Sequence, residues 1–368
     1  MKPLVTIVIG TRPEAIKLSP VILAFKLSNK LDTRVLLSGQ HKEMASEVLQ
    51  LFEIKTNNNL NLMKSGQDLN EFTQRCIKSI AEDFKNFPPD LVLVQGDTTT
   101  AFVAALTAFH NKIPIGHVEA GLRTNKIGEP FPEEANRRLI SQLSTLHFAP
   151  TKKSEKNLID SKIKENIFIT GNTGIDALLH ISNDAKAPKI NGLNWSKQKV
   201  ILLTVHRREN WGANLEEISL GIKKILKDHP NVFIICPMHK NPIVRETLKQ
   251  LLGSESRIAL IEPLNYKEMI GCIKNCTLVL TDSGGIQEEA PALGKPVLVL
   301  RQNTERQEAI EAKTAKLIGT SSGSISTETS ELLDNQKSYM SMARVQFPFG
   351  NGNASEKILV ESIKYLGL

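Results

Sequence analysis

Short apolar runs alternate with amphipathic stretches along nearly the whole chain, and this alternation restricts the fold more than any other feature of the sequence. Predicted strands form a first series at 4–9, 34–38, 91–95, 113–118 and 167–170, and a second at 200–205, 232–236, 258–261, 278–281 and 296–300. Helical patterns lie between them, for example at 14–27, 69–84, 133–143, 215–227 and 242–251. Apolar strands separated by helices are typical of parallel sheets covered on both faces. Two such series predict an α/β protein with two doubly wound, Rossmann-like domains.

The domain boundary is expected near Gly171. A chain of 368 residues is longer than one compact core usually requires, which also favours two domains. The first domain is predicted to cover residues 1–171 and the second residues 172–353, with a polar loop at 183–199. The last predicted helix follows the turn-rich segment FPFGNGN and is expected to cross back, so residues 354–368 join the first domain.

The composition is that of a soluble globular protein, with 40% hydrophobic and 23% charged residues. A net charge of +7 raises the question of a nucleic-acid partner. The lysines are scattered among the helices, however, and aromatic residues make up only 5% of the chain, too few for a base-stacking surface. We therefore expect no nucleic-acid partner, and the mild positive charge suits an anionic, phosphate-bearing substrate.

The sequence gives no indication of a membrane or an oxidising compartment. The opening MKPLVTIVIG continues without a signal-peptide cleavage site, and no apolar run is long enough to span a bilayer. The four cysteines, Cys76, Cys236, Cys272 and Cys276, lack partners at zinc-binding spacing. These observations predict a cytoplasmic protein with reduced thiols, no membrane contact and no bound metal.

Polar and glycine-rich segments follow the predicted strands: GTRPE, GQH, QGDTTT, HVEAG, VHRREN, CPMHKNP, EPL and TDSGG. In open α/β sheets the ligand lies beyond the carboxyl ends of the strands. The concentration of His, Arg, Asp and Glu in these segments exceeds what loop solvation requires and favours an enzyme. Neither G-x-G-x-x-G nor G-x-x-x-x-G-K-[ST] is present, so an NAD-linked epimerase and a P-loop enzyme are poorly supported.

The segment TDSGGIQEEA is a candidate phosphate site. Gly284 and Gly285 allow close approach of an anion to a helix start, where free N–H groups point at it, and Ser283 precedes them. Glu289 lies one and a half turns into the helix, where it can accept hydrogen bonds from ribose hydroxyls. An ordinary strand–helix turn is the structural alternative, but Ser283 and Glu289 together favour a nucleotide diphosphate.

Cationic side chains follow other strands. Arg12, just before a helix start, suits a phosphate contact, whereas Lys17 is equally well explained as a surface lysine. His206, between a strand end and two arginines, suits neutralisation of a leaving phosphate. His239 remains open between a structural and a functional role.

Three carboxylates at or beyond strand ends are candidates for acid–base chemistry: Asp97, Glu119 and Glu133. In a water-poor cleft the pKa of a carboxyl group can rise toward neutrality. Singly, each is explained as a cap or an ion-pair partner, and Glu134 is explained by the helix dipole. Together in one cleft, they indicate proton transfer.

These segments belong to a longer ordered series: GTRPEAIKLSP, GQH, QGDTTT, HVEAGLRT, PFPEEANRRLI, GNTGIDAL, HRREN, DSGGIQEEAPALGKPVLVLR and TERQEAIEA. From Gly10 to about Gly319 the chain thereby resembles the non-hydrolysing UDP-N-acetylglucosamine 2-epimerases. The resemblance implies a GT-B-like fold, with two Rossmann-like domains facing a central cleft. It also implies reversible conversion of UDP-GlcNAc to UDP-ManNAc, by elimination and re-addition of UDP through a 2-acetamidoglucal. The reaction uses no cofactor and no metal, and it supplies surface polysaccharide synthesis.

The resemblance assigns roles to individual residues. The family's acid–base carboxylates fall on Asp97, Glu119 and Glu133, and its catalytic histidine falls on His206. Its substrate-binding positions are nine: Arg12, Lys17, Leu264, Met269, Ser283, Gly284, Gly285, Glu289 and Arg306. Many bacterial members bind UDP-GlcNAc at a second, activating site, for which the candidates are Gln40, His41 and Arg207. A homodimer with a UDP-sugar substrate is also implied.

Some alternatives stay open. Gly174, Gln302, Asn303 and Lys313 depart from the family's common pattern and leave the exact sugar open. A hydrolysing relative, which releases UDP and free ManNAc, is one alternative, although such enzymes usually lack the Pro-Glu pair that follows GTR here. A GT-B glycosyltransferase is another, and the lack of an acceptor-binding insertion argues against it. Three carboxylates in one cleft argue against a non-enzymatic UDP-sugar sensor.

Overall fold

The computed structural model of the chain describes residues 2–40, 42–64, 66–124, 126–304 and 306–368. The chain forms two compact units. One consists of Met1–Ala177 together with Phe349–Leu368, and the other of Leu178–Pro348. The C-terminal segment is therefore part of the first unit.

The first unit is built on a seven-stranded sheet. Its strands are β1 (Leu4–Ile9), β2 (Asp32–Leu37), β3 (Asn58–Asn59), β4 (Leu91–Gln95), β5 (Ile115–Val118), β6 (Leu146–Ala149) and β7 (Ile167–Ile169). Its helices are α1 (Arg12–Leu27), α2 (Lys42–Leu51), α3 (Leu69–Asn86), α4 (Thr99–His110), α5 (Glu133–Leu143), α6 (Lys152–Asp160) and α7 (Thr173–Ser182), and the division between the units falls within α7. The strand order is β3-β2-β1-β4-β5-β6-β7, and all pairings are parallel.

The second unit is built on a six-stranded parallel sheet in the order β10-β9-β8-β11-β12-β13. Its strands are β8 (Lys199–Thr204), β9 (Val232–Pro237), β10 (Ile258–Ile261), β11 (Leu278–Thr281), β12 (Val297–Val299) and β13 (Ala315–Leu317). Its helices are α8 (Ala213–Asp228), α9 (Pro242–Leu252), α10 (Tyr266–Asn275), α11 (Gly284–Ala292), α12 (Gln307–Glu311), α13 (Ser322–Asp334) and α14 (Gln336–Met342). A 3₁₀ turn at Arg208–Asn210 follows β8, and α15 (Ala354–Tyr365) returns the chain to the first unit.

Apolar burial explains why the central strands lie inside each unit. β4 is buried along its whole length, and α4 packs its alanines and Val103 into the same core. In the second unit, Leu203 of β8 and Leu280 of β11 are fully buried in a core to which α8 contributes Ile218 and Ile222. Strands buried on both faces need no polar alternation, which is why they appear as continuous apolar runs in the sequence.

The strand order places a switch point in each sheet. The chain builds outward from β1 through β2 to β3, then returns to the other side of β1 and continues from β4. In the second unit the corresponding strands are β8 and β11. Loops that follow the two strands at a switch point diverge and leave a crevice, where ligands of such folds bind. The loops after β1, β4, β8 and β11 are therefore the places to look for a site.

The predicted fold class, α/β with two Rossmann-like sheets, is confirmed. All ten predicted strands and the five helices named above are found, with ends shifted by at most two residues. β3, β6 and β13 were not predicted, because they are only two to four residues long and contain polar residues. All four cysteines are free and buried. Among the described residues, no helix is both long and apolar enough to cross a membrane.

Candidate functional site

Glu119 lies directly after β5, and three side chains donate to its carboxylate. Lys17 donates to Oε1 at 2.6 Å and Asn172 to the same oxygen at 3.2 Å, while Gln95, the last residue of β4, donates to Oε2. Glu119 is 7% exposed and has a φ of +64°, which side-chain-bearing residues seldom adopt. Backbone strain held by surrounding contacts is common at functional sites. The side chain of Lys17 is only 18% exposed, so it is not a solvated surface lysine.

Asp97 follows β4 and lies close to the other two candidate carboxylates. Burial raises its pKa above the ordinary value, and the guanidinium of Arg137, which donates to Asp97 Oδ2, lowers it. The negative charges of Glu119 and Glu133 raise the pKa of Asp97 further, and the net shift is upward. The structure thus brings the three predicted carboxylates together, and a carboxyl group shifted in this direction can accept and return a proton.

The two glutamates that begin α5 differ in their surroundings. Glu134 is fully buried and accepts hydrogen bonds from Arg138 Nε at 2.6 Å and the backbone N–H of Thr124 at 3.0 Å, with Arg137 Nη1 3.5 Å away. Its charge therefore stabilises the local structure. Glu133, the first residue of the helix, is partly exposed and acts on Asp97 through its charge. Of the two glutamates, Glu133 is thus the one left partly exposed, whereas the carboxylate of Glu134 is enclosed by its donors.

The loop that leads into Arg12 is held in place by hydrogen bonds to Glu14. Its Oε2 accepts the backbone N–H groups of Gly10 at 3.1 Å and Thr11 at 2.7 Å, and its Oε1 accepts the hydroxyl of Thr98 at 2.8 Å. Burial raises the pKa of Glu14 to about 7, although these hydrogen bonds lower it. One carboxylate thus ties the loop after β1 to the loop after β4. Arg12 is the first residue of α1 and is partly buried.

The predicted activating-site residues are only partly described. Gln40 lies three residues beyond β2, where its Oε1 accepts the hydroxyl of Thr100 at 2.8 Å and its backbone N–H donates to Ser38 Oγ at 3.3 Å. His41 lies outside the described residues. The third candidate, Arg207, belongs to the second unit and is placed beside His206.

In the second unit, His206 follows β8 and is tied to Asp282, which follows β11. His206 Nδ1 lies 3.0 Å from Asp282 Oδ1. Asp282 Oδ2 accepts the backbone N–H groups of His206 and Arg207, both at 2.9 Å, and the amide of Asn210 at 3.0 Å. Asp282 is completely buried, whereas the side chain of His206 is 36% exposed. Burial raises the pKa of Asp282, but its hydrogen bonds with His206 and Arg207 and the charge of His206 outweigh this effect and lower it.

The start of α11 carries the predicted phosphate-site residues. Ser283 is the residue before the helix, and Gly284 and Gly285 are its first two residues. A Cβ on Gly284 would lie 3.3 Å from Arg306 Cζ, so the missing side chain makes room for the guanidinium. Arg306 Nε donates to Glu288 of the same helix at 2.8 Å, which holds the cation over the helix start. Helix N–H groups and an arginine at one place suit a phosphate.

The remaining predicted contacts lie around α10. Tyr266, the first residue of α10, donates its hydroxyl to Glu289 Oε1 at 3.2 Å. Leu264, in the loop after β10, and Met269, within α10, are both partly exposed. The structure therefore places the proposed ribose acceptor and the two apolar residues on or just before neighbouring helices of one unit. Among the described residues, no group of three or more His, Cys, Asp or Glu side chains is arranged to hold a metal ion.

The sequence identified these candidates but not the side chains that hold them. Gln95, Asn172 and Asp282 were not assigned a role. Gln95 offered a signal, because it is a polar residue ending an apolar strand, and Asp282 directly precedes the Ser283 turn. No spacing in the sequence links Asn172 to Glu119.

The chain is similar to known proteins along nearly its whole length. The sequence model of the family described as UDP-N-acetylglucosamine 2-epimerase matches residues 23–364. A UDP-N-acetylglucosamine 2-epimerase of Neisseria meningitidis is 46% identical over 364 residues, covering 97% of this chain and 98% of that protein. The crystal structure of a UDP-GlcNAc 2-epimerase from Neisseria meningitidis bound to UDP-GlcNAc has a TM-score of 0.90 at 44% identity, and the match covers 99% of this chain and 100% of that one. An S. aureus MnaA–UDP co-structure has a TM-score of 0.90 at 44% identity, and the match covers 100% of this chain and 98% of that one.

Proposed function

The chain belongs to the UDP-N-acetylglucosamine 2-epimerase family, and we propose that it is a non-hydrolysing member, which interconverts UDP-GlcNAc and UDP-ManNAc. Its relatives carry the epimerase name at 46% identity over nearly the full length. The observation that supports the proposed mechanism is the group of three carboxylates in the first unit, in which the pKa of Asp97 is raised.

The reaction proceeds by elimination and re-addition. A carboxylate removes the proton from C2 of the sugar, the C–H electrons form the C1–C2 double bond, and the C1–O bond breaks with its electrons on UDP. The product is a bound 2-acetamidoglucal. UDP then attacks C1 again while C2 receives a proton on its other face, which inverts that centre. Proton delivery to either face requires more than one acid–base group, and Asp97, Glu119 and Glu133 supply them.

Each of the three carboxylates has a distinct environment for this task. Asp97 has a raised pKa, and Arg137 limits the rise by donating to it. Glu119 is held in one orientation by Lys17, Asn172 and Gln95, which donate to its carboxylate. Glu133 is partly exposed, as Asp97 is, whereas Glu119 is buried. A base fixed in position loses little entropy at the transition state, because its orientation is already set.

The second unit is proposed to bind the nucleotide. The start of α11 and Arg306 hold the diphosphate, and Glu289 accepts the ribose hydroxyls. His206 neutralises the charge that develops on UDP as it leaves. The complete set of proposed substrate contacts is Arg12, Lys17, Leu264, Met269, Ser283, Gly284, Gly285, Glu289 and Arg306. We further propose that the protein is a cytoplasmic homodimer and that it serves surface polysaccharide synthesis. The proposal also includes an activating site with Gln40, His41 and Arg207.

Proton NMR of the purified enzyme with UDP-GlcNAc in D₂O tests the proposal in one sample. The expected result is UDP-ManNAc in equilibrium with UDP-GlcNAc, with deuterium at C2 of both sugars and no added cofactor. Free ManNAc and UDP as the products would identify the hydrolysing alternative instead. An epimerised product that keeps its C2 proton would refute elimination, and absence of any reaction would favour the glycosyltransferase or sensor.

A further inference from the structure

The carboxylate of Asp282 is the partner of His206 in the second unit. The backbone N–H of His206 lies 3.2 Å from Oδ1 and 2.9 Å from Oδ2, and each oxygen has further donors of its own. Oδ1 faces the imidazole, with His206 Nδ1 3.0 Å away. Oδ2 accepts two backbone N–H groups at 2.9 Å and the amide of Asn210 at 3.0 Å. A carboxylate with this many donors, fully buried, is held in its ionised form and in one orientation. Nδ1, the ring nitrogen that Asp282 contacts, must therefore carry a proton.

We infer that Asp282 is a positioning residue for the epimerisation: it holds His206 as the Nδ1–H tautomer and directs the other ring nitrogen, Nε2, to the departing phosphate oxygen. When the ring is protonated, Nε2–H can donate to that oxygen while Asp282 compensates the positive charge. A buried carboxylate that fixes the tautomer of a histidine is a known way to orient an imidazole for catalysis. The catalytic part of this inference rests on the proposed function, whereas the tautomer does not.

A second histidine, His239, lies beside His206 but has a different hydrogen-bond partner at Nδ1. The rings of His206 and His239 are stacked, with centroids 5.7 Å apart and an interplanar angle of 24°. His239 Nδ1 accepts the backbone N–H of Asn241 at 3.2 Å, so its neutral form carries the proton on Nε2. Burial lowers the pKa of His239, and the positive charge of His206 lowers it further. The carboxylate beside one ring and the N–H beside the other thus favour opposite tautomers for the two neutral rings.

The variant Asp282→Asn tests the inference because an amide cannot satisfy both sides of this site. Its single carbonyl oxygen is expected to replace Oδ2, where three donors converge, which leaves the NH₂ group facing His206 Nδ1. An NH₂ group can only donate, so Nδ1 must accept and the ring must take the Nε2–H tautomer. The isosteric replacement therefore preserves the loop while it reverses the tautomer.

The experiment combines two measurements on enzyme labelled with ¹⁵N at histidine. Two-bond ¹H–¹⁵N correlation spectra without substrate are expected to show the Nδ1–H tautomer for neutral His206 in the wild type and the Nε2–H tautomer in Asp282→Asn. The resonance of His206 is assigned by its loss in His206→Gln. In the variant, kcat is expected to fall by about 10²–10⁴-fold, because an amide cannot compensate the positive charge of the protonated ring. The Kd for UDP, measured by calorimetry, is expected to change by no more than a few-fold.

Thr204→Val is the matched control. Thr204 ends β8, is buried, and exchanges a hydrogen bond of 2.6 Å with Thr281 at the same strand ends. Its loss perturbs the same strand pair without touching the imidazole, so tautomer and kcat are expected to stay as in the wild type.

Observation of the Nε2–H tautomer for His206 in the wild type would overturn the inference. This measurement uses the wild-type enzyme alone, so it is informative even if Asp282→Asn fails to fold. A folded Asp282→Asn enzyme with wild-type kcat, or a lower kcat with an unchanged tautomer, would overturn it as well. If the wild type shows the Nδ1–H tautomer but no epimerisation, the proposed function has failed and the tautomer assignment stands.

Discussion

Replacement of Glu14 by glutamine tests how the first unit holds the loop that carries Arg12. Glu14 is 1% exposed and accepts hydrogen bonds from Gly10, Thr11 and Thr98. Glutamine has the same shape and fits these partners: its carbonyl oxygen can replace Oε2 below the two backbone N–H groups, and its NH₂ group can donate to the hydroxyl of Thr98. The variant therefore removes the titrating proton and keeps the contacts.

The magnitude follows from the pKa of Glu14, which burial raises from 4.5 to about 7. Between these values the folded chain keeps a proton that the unfolded chain has lost, so stability falls as the pH rises through this interval. The full loss corresponds to about 3 kcal/mol, of which about 2 to 3 kcal/mol falls between pH 5 and pH 8. In Glu14→Gln this loss is absent. The free energy of unfolding of the variant, relative to that of the wild type, is therefore expected to be about 2 to 3 kcal/mol higher at pH 8 than at pH 5.

Urea denaturation at pH 5 and pH 8, followed by far-UV circular dichroism, measures the difference. Hydrogen exchange of amides in β1 and β4 assigns the transition to the first unit. All other titrating groups are common to both proteins and cancel in the comparison. Glu71→Gln, at an exposed position in α3, is the matched control and is expected to show no pH-dependent difference. If the variant and the wild type differed by the same free energy of unfolding at pH 5 and at pH 8, the reasoning would be refuted. Such a result would mean that the hydrogen bonds keep Glu14 ionised at pH 5.

Two further predictions concern turnover and binding. Asp97→Asn, Glu119→Gln and Glu133→Gln should each lower kcat by about 10²–10⁴-fold without changing the urea midpoint greatly, and near wild-type turnover in all three would contradict their assignment. In calorimetry with UDP, Arg306→Ala should weaken binding by about 1.5–3 kcal/mol and Glu289→Ala should also weaken it, whereas Asp97→Asn should not. Loss of UDP binding in Asp97→Asn together with unchanged binding in Glu289→Ala would reverse the division of roles.

The sequence predicted the two sheets because their central strands are buried on both faces and therefore apolar throughout. β4 and β11 are examples, since every residue of each is buried. β3 and β6 escaped prediction for the opposite reason. Asn58–Asn59 is a two-residue edge strand without an apolar residue, and β6 has His147 among only four residues. Such strands form because neighbouring strands offer hydrogen bonds, which a local pattern does not record.

The candidate site was predictable to the extent that it depends on strand ends. Asp97, Glu119 and His206 were found because each follows a predicted strand. Their partners were not, because the distances along the chain are large: Lys17 is 102 residues from Glu119, and the backbone N–H of His206 donates to a carboxylate 76 residues away. Sequence spacing carries information over a few helical turns, whereas these pairs are created by the order of strands in the sheet.

In each unit, a buried carboxyl group connects the two loops at the switch point of the sheet. In the first, Glu14 lies below the loops after β1 and β4 and accepts backbone N–H groups from one and a hydroxyl from the other. In the second, Asp282 lies between the loops after β8 and β11 and accepts the backbone N–H groups that precede and follow the His206 side chain. Both carboxylates are buried, and both bind main chain next to a cationic candidate residue. Because buried polar groups without partners are costly, each loop can leave its position only if its N–H groups and the carboxyl group find other partners. The carboxylates that hold the loops are thus distinct from those proposed to exchange protons, and the partners of each group, rather than its residue type, distinguish the two sets.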